Sequence, residues 1–332
     1  MGVRWCVSQR GVWLVTKLLM SERQLTFRAN EVALLTNTAY KSFRDGQFHQ
    51  AVELLERALE LDVEDGAVAG ALKCAGFWRE REARLSELAG PFERAEYLVG
   101  QWKLFKAFAA RLGDIPEKCV YDIKLYVFGT ALDGYLQLKR ESTDDPDLLV
   151  RIGRCYKAIG DYEQAIAHLE LASRLKRDAA WLLAELADCY ALVNEDRYAR
   201  IFFREAFFLD PRSIDLDMLE SPIMVRLRQR VQTSGRPPEH LKEWLPVLAT
   251  TLGVFNVKRE LKPLELGRLK QAIHSLEKEY ESGNIEVVPT LINRYFWLID
   301  HYTTAGEDRS KIDEVLVKLK SLDPEIYREY VN

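Results

Sequence analysis

The side chains that most often carry catalysis or bind metals are scattered along this chain of 332 residues. No His-Glu-x-x-His motif occurs among its five histidines, which are His49, His168, His240, His274 and His301. The glycines form no phosphate-binding loop, because none precedes the Lys-Ser/Thr pair that contacts phosphate and metal. No nucleophile-elbow motif supports a Ser/His/Asp site either. The sequence therefore predicts a non-enzymatic protein without cofactor or metal.

The five cysteines form neither a Cys-x-x-Cys pair nor a Cys/His cluster of the kind that binds zinc. An odd number without close pairing is typical of reduced thiols in a cytoplasmic protein. Cys155 and Cys189 stand 34 residues apart. The simplest interpretation is that both fill equivalent small positions in helix packing.

A run of arginines, Arg226, Arg228, Arg230 and Arg236, can contact RNA phosphates. The same residues alternate with apolar side chains, which is also the pattern of a short amphipathic helix with an exposed polar face. The net charge of −4 argues against a protein that binds nucleic acid over a large surface. A nucleic-acid-associated regulator that uses the Arg226–Arg236 segment is the alternative function.

The composition, 48% hydrophobic and 30% charged, is that of an ordinary globular chain. No uninterrupted apolar run is long enough to span a bilayer. Residues 1–19 combine a basic start with a short apolar stretch that Lys17 interrupts, and no signal-peptidase site follows. We interpret 1–19 as an over-extended or disordered N-terminus, with translation beginning at Met20.

A 34-residue unit occurs twice between residues 146 and 213. Its apolar and small positions in the first copy are Leu149, Ile152, Gly153, Tyr156, Gly160, Tyr162, Ala165, Leu169, Ala172 and Leu175. The corresponding positions of the second copy are Leu183, Leu186, Ala187, Tyr190, Ala199, Phe203, Ala206 and Leu209. Their helical spacing predicts two amphipathic helices in each unit.

The turn between the two helices of the first copy is predicted at Gly160-Asp161, with Asp161 as the N-cap of the second helix. Gly153 and Ala165 are predicted to be small because the two helix backbones approach closely there. A larger side chain would force the helices apart, at a cost of roughly 1–3 kcal/mol.

The period and these residue types resemble the tetratricopeptide repeat. The resemblance implies an all-α, right-handed helical solenoid of about 13–15 helices, in which stacked helix pairs share their cores. A third unit is predicted at 32–63, and degenerate helical repeats at 66–141 and 214–332. The first copy departs from the family at Arg177, where a proline is usual.

The resemblance also implies a function, which is to hold a protein or peptide in the concave groove formed by the first helix of each pair. The family's groove positions fall on Tyr40, Arg44, Arg151, Arg154, Lys157, Trp181, Glu185 and Asp188. In this groove a basic strip lies beside an acidic one, which suits a peptide with both charges. The alternative is that these charges pair with one another as solvated surface. Self-association through exposed helix ends is left open.

Four segments follow from these patterns. They are an N-terminal stretch 1–19, a first unit with degenerate repeats at 20–141, two clear repeats at 142–213 and a helical region with a repeat-like end cap at 214–332. A loop over 233–238 is a further candidate subdomain boundary. Beyond it, helices are predicted near 239–255, 263–282, 288–304 and 309–322.

Overall fold

The computed structural model describes residues 28–113, 115–141 and 145–332. The prediction for residues 1–19 lies outside them. The described residues form α-helices joined by short turns and contain no β-strand, as the all-α prediction requires. The chain divides between residues 143 and 144 into two compact units, apart from residues 158–160, which group with the first.

The described residues of the first unit form five helices. They are the described part of α1 (28–44), α2 (Phe48–Leu61), α3 (Gly66–Glu87), α4 (Pro91–Leu112) and α5 (Glu117–Glu141). The last three have 22 to 25 residues, compared with 14 in α2, so the helices between 66 and 141 are longer than the helix of the first unit that precedes them. The core of the first unit is a run of contacting aromatic rings, among them Phe48, Trp78 and Phe105, each at most 2% exposed.

The second unit begins with two helix pairs, α6 (Pro146–Ile159) with α7 (Tyr162–Leu175) and α8 (Ala180–Leu192) with α9 (Asp196–Leu209). Six further helices follow: α10 (Pro222–Gln232), α11 (Leu241–Thr251), α12 (Pro263–Glu281), α13 (Val288–Thr304), α14 (Arg309–Leu322) and α15 (Pro324–Val331). Four 3₁₀ turns lie at Pro211–Ser213, Leu216–Met218, Pro238–His240 and Ile285–Val287. The described residues thus contain fifteen α-helices, within the predicted number.

Helices α6 and α7 pack as closely as the sequence predicted. A Cβ atom added to Gly153 would lie 2.7 Å from Cγ of Leu169 and 3.3 Å from the Ala165 carbonyl oxygen. Gly160 ends α6 with a φ of +90°, a conformation that favours glycine. The Asp161 carboxylate then caps α7 by accepting from the backbone N–H of Gln164.

One apolar core extends through the second unit from α8 to α15, with Phe203, Phe207, Trp244 and Phe296 among its buried residues. The core includes residues on both sides of positions 213 and 233–238, where the sequence suggested divisions. Helix α13 lies at its centre and buries 12 residues. The second clear repeat therefore shares its core with the C-terminal helices.

Candidate partner-binding surface

The groove residues predicted in the second unit lie on two neighbouring first helices. Arg151, Arg154 and Lys157 occupy α6 at three-residue spacing, which places them along one helix face. Glu185 lies on α8, where Trp181 is one helical turn before it. The fold therefore brings the basic and the acidic strip together, as the repeat frame predicted.

Three of these side chains form a buried ion cluster. The side chain of Lys157 is 2% exposed, that of Glu185 is 2% exposed and that of Asp188 is fully buried. The Lys157 Nζ donates to Glu185, to Asp188 at 3.1 Å and to the Met218 carbonyl oxygen at 2.7 Å. A lysine ammonium has three donors, and all three are used here.

The segment that follows α9 covers this ion cluster. The Asp188 carboxylate accepts the backbone N–H groups of Glu220 at 2.8 Å and Ser221 at 2.9 Å. Burial by itself lowers the pKa of Lys157, but the charges of Glu185 and Asp188 outweigh this effect, so the pKa lies above its ordinary value. Lys157, Glu185 and Asp188 thus join α6, α8 and the segment around 218–221.

The pairing that the sequence left as an alternative is therefore present, although it is buried rather than solvated as that interpretation supposed. Arg154 extends it toward solvent, because its Nε donates to Glu185 at 2.8 Å while 31% of its side chain stays exposed. Whether any of these residues contacts a partner stays a prediction. Of the six groove residues predicted in the second unit, only Arg151, Arg154 and Trp181 are partly exposed to solvent.

A cation that the sequence did not single out completes this surface. The Nζ of Lys176, at the end of α7, lies 5.2 Å from the ring centroid of Trp181, and the Arg154 guanidinium lies 5.7 Å from it. Lys176 also pairs with Asp147 at 3.3 Å. We call Arg151, Arg154, Lys176 and Trp181 the Trp181 surface. It offers a half-buried indole with positive charges beside it.

The two groove residues predicted in the first unit are placed differently. Tyr40 is 5% exposed and stacks on Phe43 with ring centroids 5.8 Å apart. Burial raises the pKa of the Tyr40 phenol above its ordinary value. Arg44 is about half exposed and pairs with Asp122, a carboxylate on α5 that is 1% exposed. Tyr40 therefore belongs to the core of the first unit, and Arg44 neutralises a buried acid.

The four arginines that suggested nucleic-acid binding have different surroundings in the structure. Arg228 donates to Asp217 at 3.1 Å and to the Leu216 carbonyl oxygen at 3.3 Å. Arg236 pairs with Asp323 at 3.0 Å and lies over the Trp244 ring at 4.1 Å. Arg226 and Arg230 are exposed on α10. Two of the four charges thus have carboxylate partners within the second unit.

Four cysteines of the described residues, Cys74, Cys119, Cys155 and Cys189, are buried, and no disulfide joins them. Cys155 and Cys189 occupy the small packing positions that their spacing predicted. Within the described ranges, no cluster of three histidine, cysteine or acidic side chains is arranged to hold a metal ion. No helix in the same residues is long and apolar enough to cross a membrane.

The helix pairs, the close contact at Gly153 and the capped turn at Gly160 define the class of this protein, an all-α helical-repeat protein. Residues 146–178 match the family model described as tetratricopeptide repeat. The chain thus contains a tetratricopeptide repeat in the matched residues, which are the first clear copy, and the second copy, α8 and α9, directly follows them. A comparison with curated proteins gave no match.

Proposed function

We propose that this protein is a non-enzymatic scaffold or adaptor that binds a partner protein or peptide at the Trp181 surface. The observation that carries the proposal is the environment of Trp181, a half-buried indole with the Lys176 ammonium 5.2 Å and the Arg154 guanidinium 5.7 Å from its ring centroid. Tryptophan and arginine are the residues most enriched among those that dominate binding energy at protein interfaces. The tetratricopeptide repeat supports the same role, because its stacked helix pairs form extended binding surfaces.

The chemistry of the surface favours a partner segment that places an apolar side chain against the indole and a carboxylate beside it. Arg154 is already held by Glu185, so its position is fixed before a partner arrives. Lys176 is 45% exposed, and its only ion-pair partner among the described residues is Asp147, itself 52% exposed. An exposed pair of this kind contributes little stability, so exchanging Asp147 for a partner's carboxylate costs little.

We also propose a cytoplasmic location. The support is the state of the cysteines, because the four in the described ranges are buried thiols rather than disulfides. Disulfides are common in secreted proteins and rare in the reducing cytoplasm. Fractionation of the native cells with an antibody to this chain tests the proposal, and recovery from the extracellular fraction would contradict it.

The binding proposal is tested by affinity capture from the native cell lysate with the variant Lys176→Glu/Trp181→Ala. This pair is preferable to charge reversal at Arg154, because a glutamate at 154 would face the buried Glu185 and disturb the ion cluster. The matched control is Lys278→Glu/Tyr280→Ala on α12, which removes an exposed lysine and a partly exposed tyrosine from another face. Circular dichroism checks that both variants remain folded.

We expect the wild type and the control to retain the same proteins, and the Lys176→Glu/Trp181→Ala variant to lose a subset. Each lost protein is then purified and titrated against the three chains. Equal capture by all three chains would refute the Trp181 surface as the binding site. Loss of the captured proteins on nuclease treatment would instead favour the nucleic-acid alternative.

A further inference from the structure

A half-open cleft of about 480 Å³ lies in the second unit, apart from the buried ion cluster. Helices α9, α12 and α13 line it, and the turn between α7 and α8 forms its rim. One wall is apolar and consists of Leu183, Ile201, Phe202, Phe208, Leu269 and Ala272. A volume of this size is typical of protein ligand sites.

The charged wall of the cleft contains an arginine without an acidic partner. Arg294, on α13, lies with its guanidinium 4.4 Å from the ring centroid of Phe208. Among the described residues no carboxylate lies within ion-pair distance of Arg294. Burial lowers the pKa of its guanidinium, the direction expected when a cation loses water without gaining a counter-charge.

The neighbouring arginines Arg204 and Arg259 are arranged differently. Arg204, 4% exposed, pairs with Asp300, and Arg259 pairs with both Glu205 and Glu265. Partly buried charges in proteins are ordinarily paired, because an unpaired one forfeits its hydration. Arg294 thus differs from Arg204 and Arg259, which have carboxylate partners, and from Arg177 and Arg268 of the same cleft, which are exposed to solvent.

The charge balance of the cleft restricts what can bind. Four guanidiniums line it, those of Arg177, Arg259, Arg268 and Arg294, and three carboxylates line it as well, those of Asp178, Glu205 and Glu265. Arg259 occupies both glutamates. The lining residues therefore carry one net positive charge, which matches the single negative charge of a carboxylate. A phosphate dianion would leave the site with excess negative charge.

We infer that this cleft binds an acidic side chain of a partner polypeptide, with its carboxylate on Arg294 and an adjacent apolar side chain against Phe202, Phe208 and Leu269. The Arg294 guanidinium, 4.4 Å from the Phe208 ring centroid, has a planar fork of N–H donors that suits a bidentate carboxylate contact. The half-open shape allows a chain to enter and leave, and the apolar wall accommodates a neighbouring residue. None of these residues belongs to the Trp181 surface, so the inference stands apart from the proposed function.

The test uses the full chain and three capped peptides in ligand-observed NMR titrations. The probe is acetyl-Gly-Leu-Asp-Phe-Gly-amide, the neutral comparison has asparagine in place of the aspartate, and the dianionic comparison has phosphoserine. The variant is Arg294→Gln, which removes the charge at similar length. Arg230→Gln, on the exposed face of α10, is the matched control.

We expect the wild type and Arg230→Gln to bind the aspartate peptide roughly tenfold more tightly than the asparagine peptide, as a charge-assisted contact predicts. Arg294→Gln should bind the two peptides equally, and Arg294→Lys, which keeps the charge without the planar fork, should show an intermediate preference. Equal binding of both peptides by the wild type, or no binding of either, would overturn the inference. So would a preference that survives in Arg294→Gln, or tighter binding of the phosphoserine peptide.

Discussion

Replacing Lys157 with methionine tests how much the buried ion cluster contributes to the second unit. Methionine has a similar length and no charge, so the substitution leaves Glu185 and Asp188 buried without their shared counter-ion. Removal of one partner from a buried ion pair costs about 3–5 kcal/mol, because the remaining charge is uncompensated. Two features limit the loss, since Arg154 still contacts Glu185 and two backbone N–H groups still contact Asp188.

We therefore expect Lys157→Met to lower the free energy of unfolding by about 3 kcal/mol, at the low end of that range. The assay is urea unfolding of the full chain, followed by circular dichroism and tryptophan fluorescence. For each unfolding transition of the wild type, the free energy of unfolding is compared with that of the same transition in the variant. Lys278→Met, on the exposed face of α12, is the control, and it should change stability by no more than about 0.5 kcal/mol.

The pH dependence provides a second check. The folded-state pKa of Lys157 lies above its ordinary value of 10.5, so its contribution is fully present at neutral pH and is lost only as the pH rises through the folded-state pKa. The stability difference between wild type and Lys157→Met should therefore be constant from pH 7 to pH 9. A loss below about 1 kcal/mol at neutral pH would refute the reasoning, because it would mean that the cluster is solvated or that the site relaxes around methionine.

Three further predictions concern the repeat and its neighbours. Gly153→Ala should lower the free energy of unfolding by about 1–3 kcal/mol, measured by urea unfolding, because the new methyl group would overlap the side chain of Leu169. Asp161→Ala should lower it by about 1 kcal/mol in the same assay, since α7 loses its N-cap. Hydrogen bonds from Arg259 lower the pKa of Glu265, so an NMR titration should place its midpoint below 4.5 and Arg259→Met should raise it.

Each of these three has an outcome that would contradict it. Gly76→Ala, on α3, places its new methyl group in open space and should be neutral or stabilising, and the glycine argument fails if the two alanine variants behave alike. Asp161→Asn retains a capping side chain and should retain most of the stability. For Glu265, stability is present above the unfolded pKa and lost as pH falls through the folded one, and an unchanged midpoint in Arg259→Met would contradict the assignment.

The repeat was predictable from sequence because its determinants are local. These determinants act within one helix pair: the helical spacing, the Gly160-Asp161 turn and the small residue at position 153. The same pattern, found again 34 residues later, therefore predicts the next helix pair. The helices predicted near 263–282, 288–304 and 309–322 end within one residue of the observed ones for the same reason. Proline and aspartate at helix starts and glycine at helix ends carry the same information in any part of the chain.

How deeply a groove side chain is buried does not follow from the residues near it in the sequence. The repeat frame assigned Lys157, Glu185 and Asp188 to an open groove, but the segment at 218–221 folds over these side chains and buries them. Nothing within the 34-residue unit indicates that a later segment covers it. Likewise, Tyr40 lies in a groove position by sequence and in the core by packing, because its ring stacks on Phe43 and Lys118 of α5 lies 5.4 Å from its ring centroid.

The sequence by itself determined the all-α class, the bounds of the helices between 263 and 322 and the tetratricopeptide repeat at 146–178, because each depends on residues a few positions apart. The tertiary structure decided which charges are available. It paired Lys157 with two acids and paired Arg228 and Arg236 with carboxylates in other segments. It placed Arg294 beside Phe208, 86 positions away in the chain, with no acid of the described residues at ion-pair distance. Charges interact through space over a few ångströms regardless of their separation in sequence, so only the folded chain shows which of them remain unpaired.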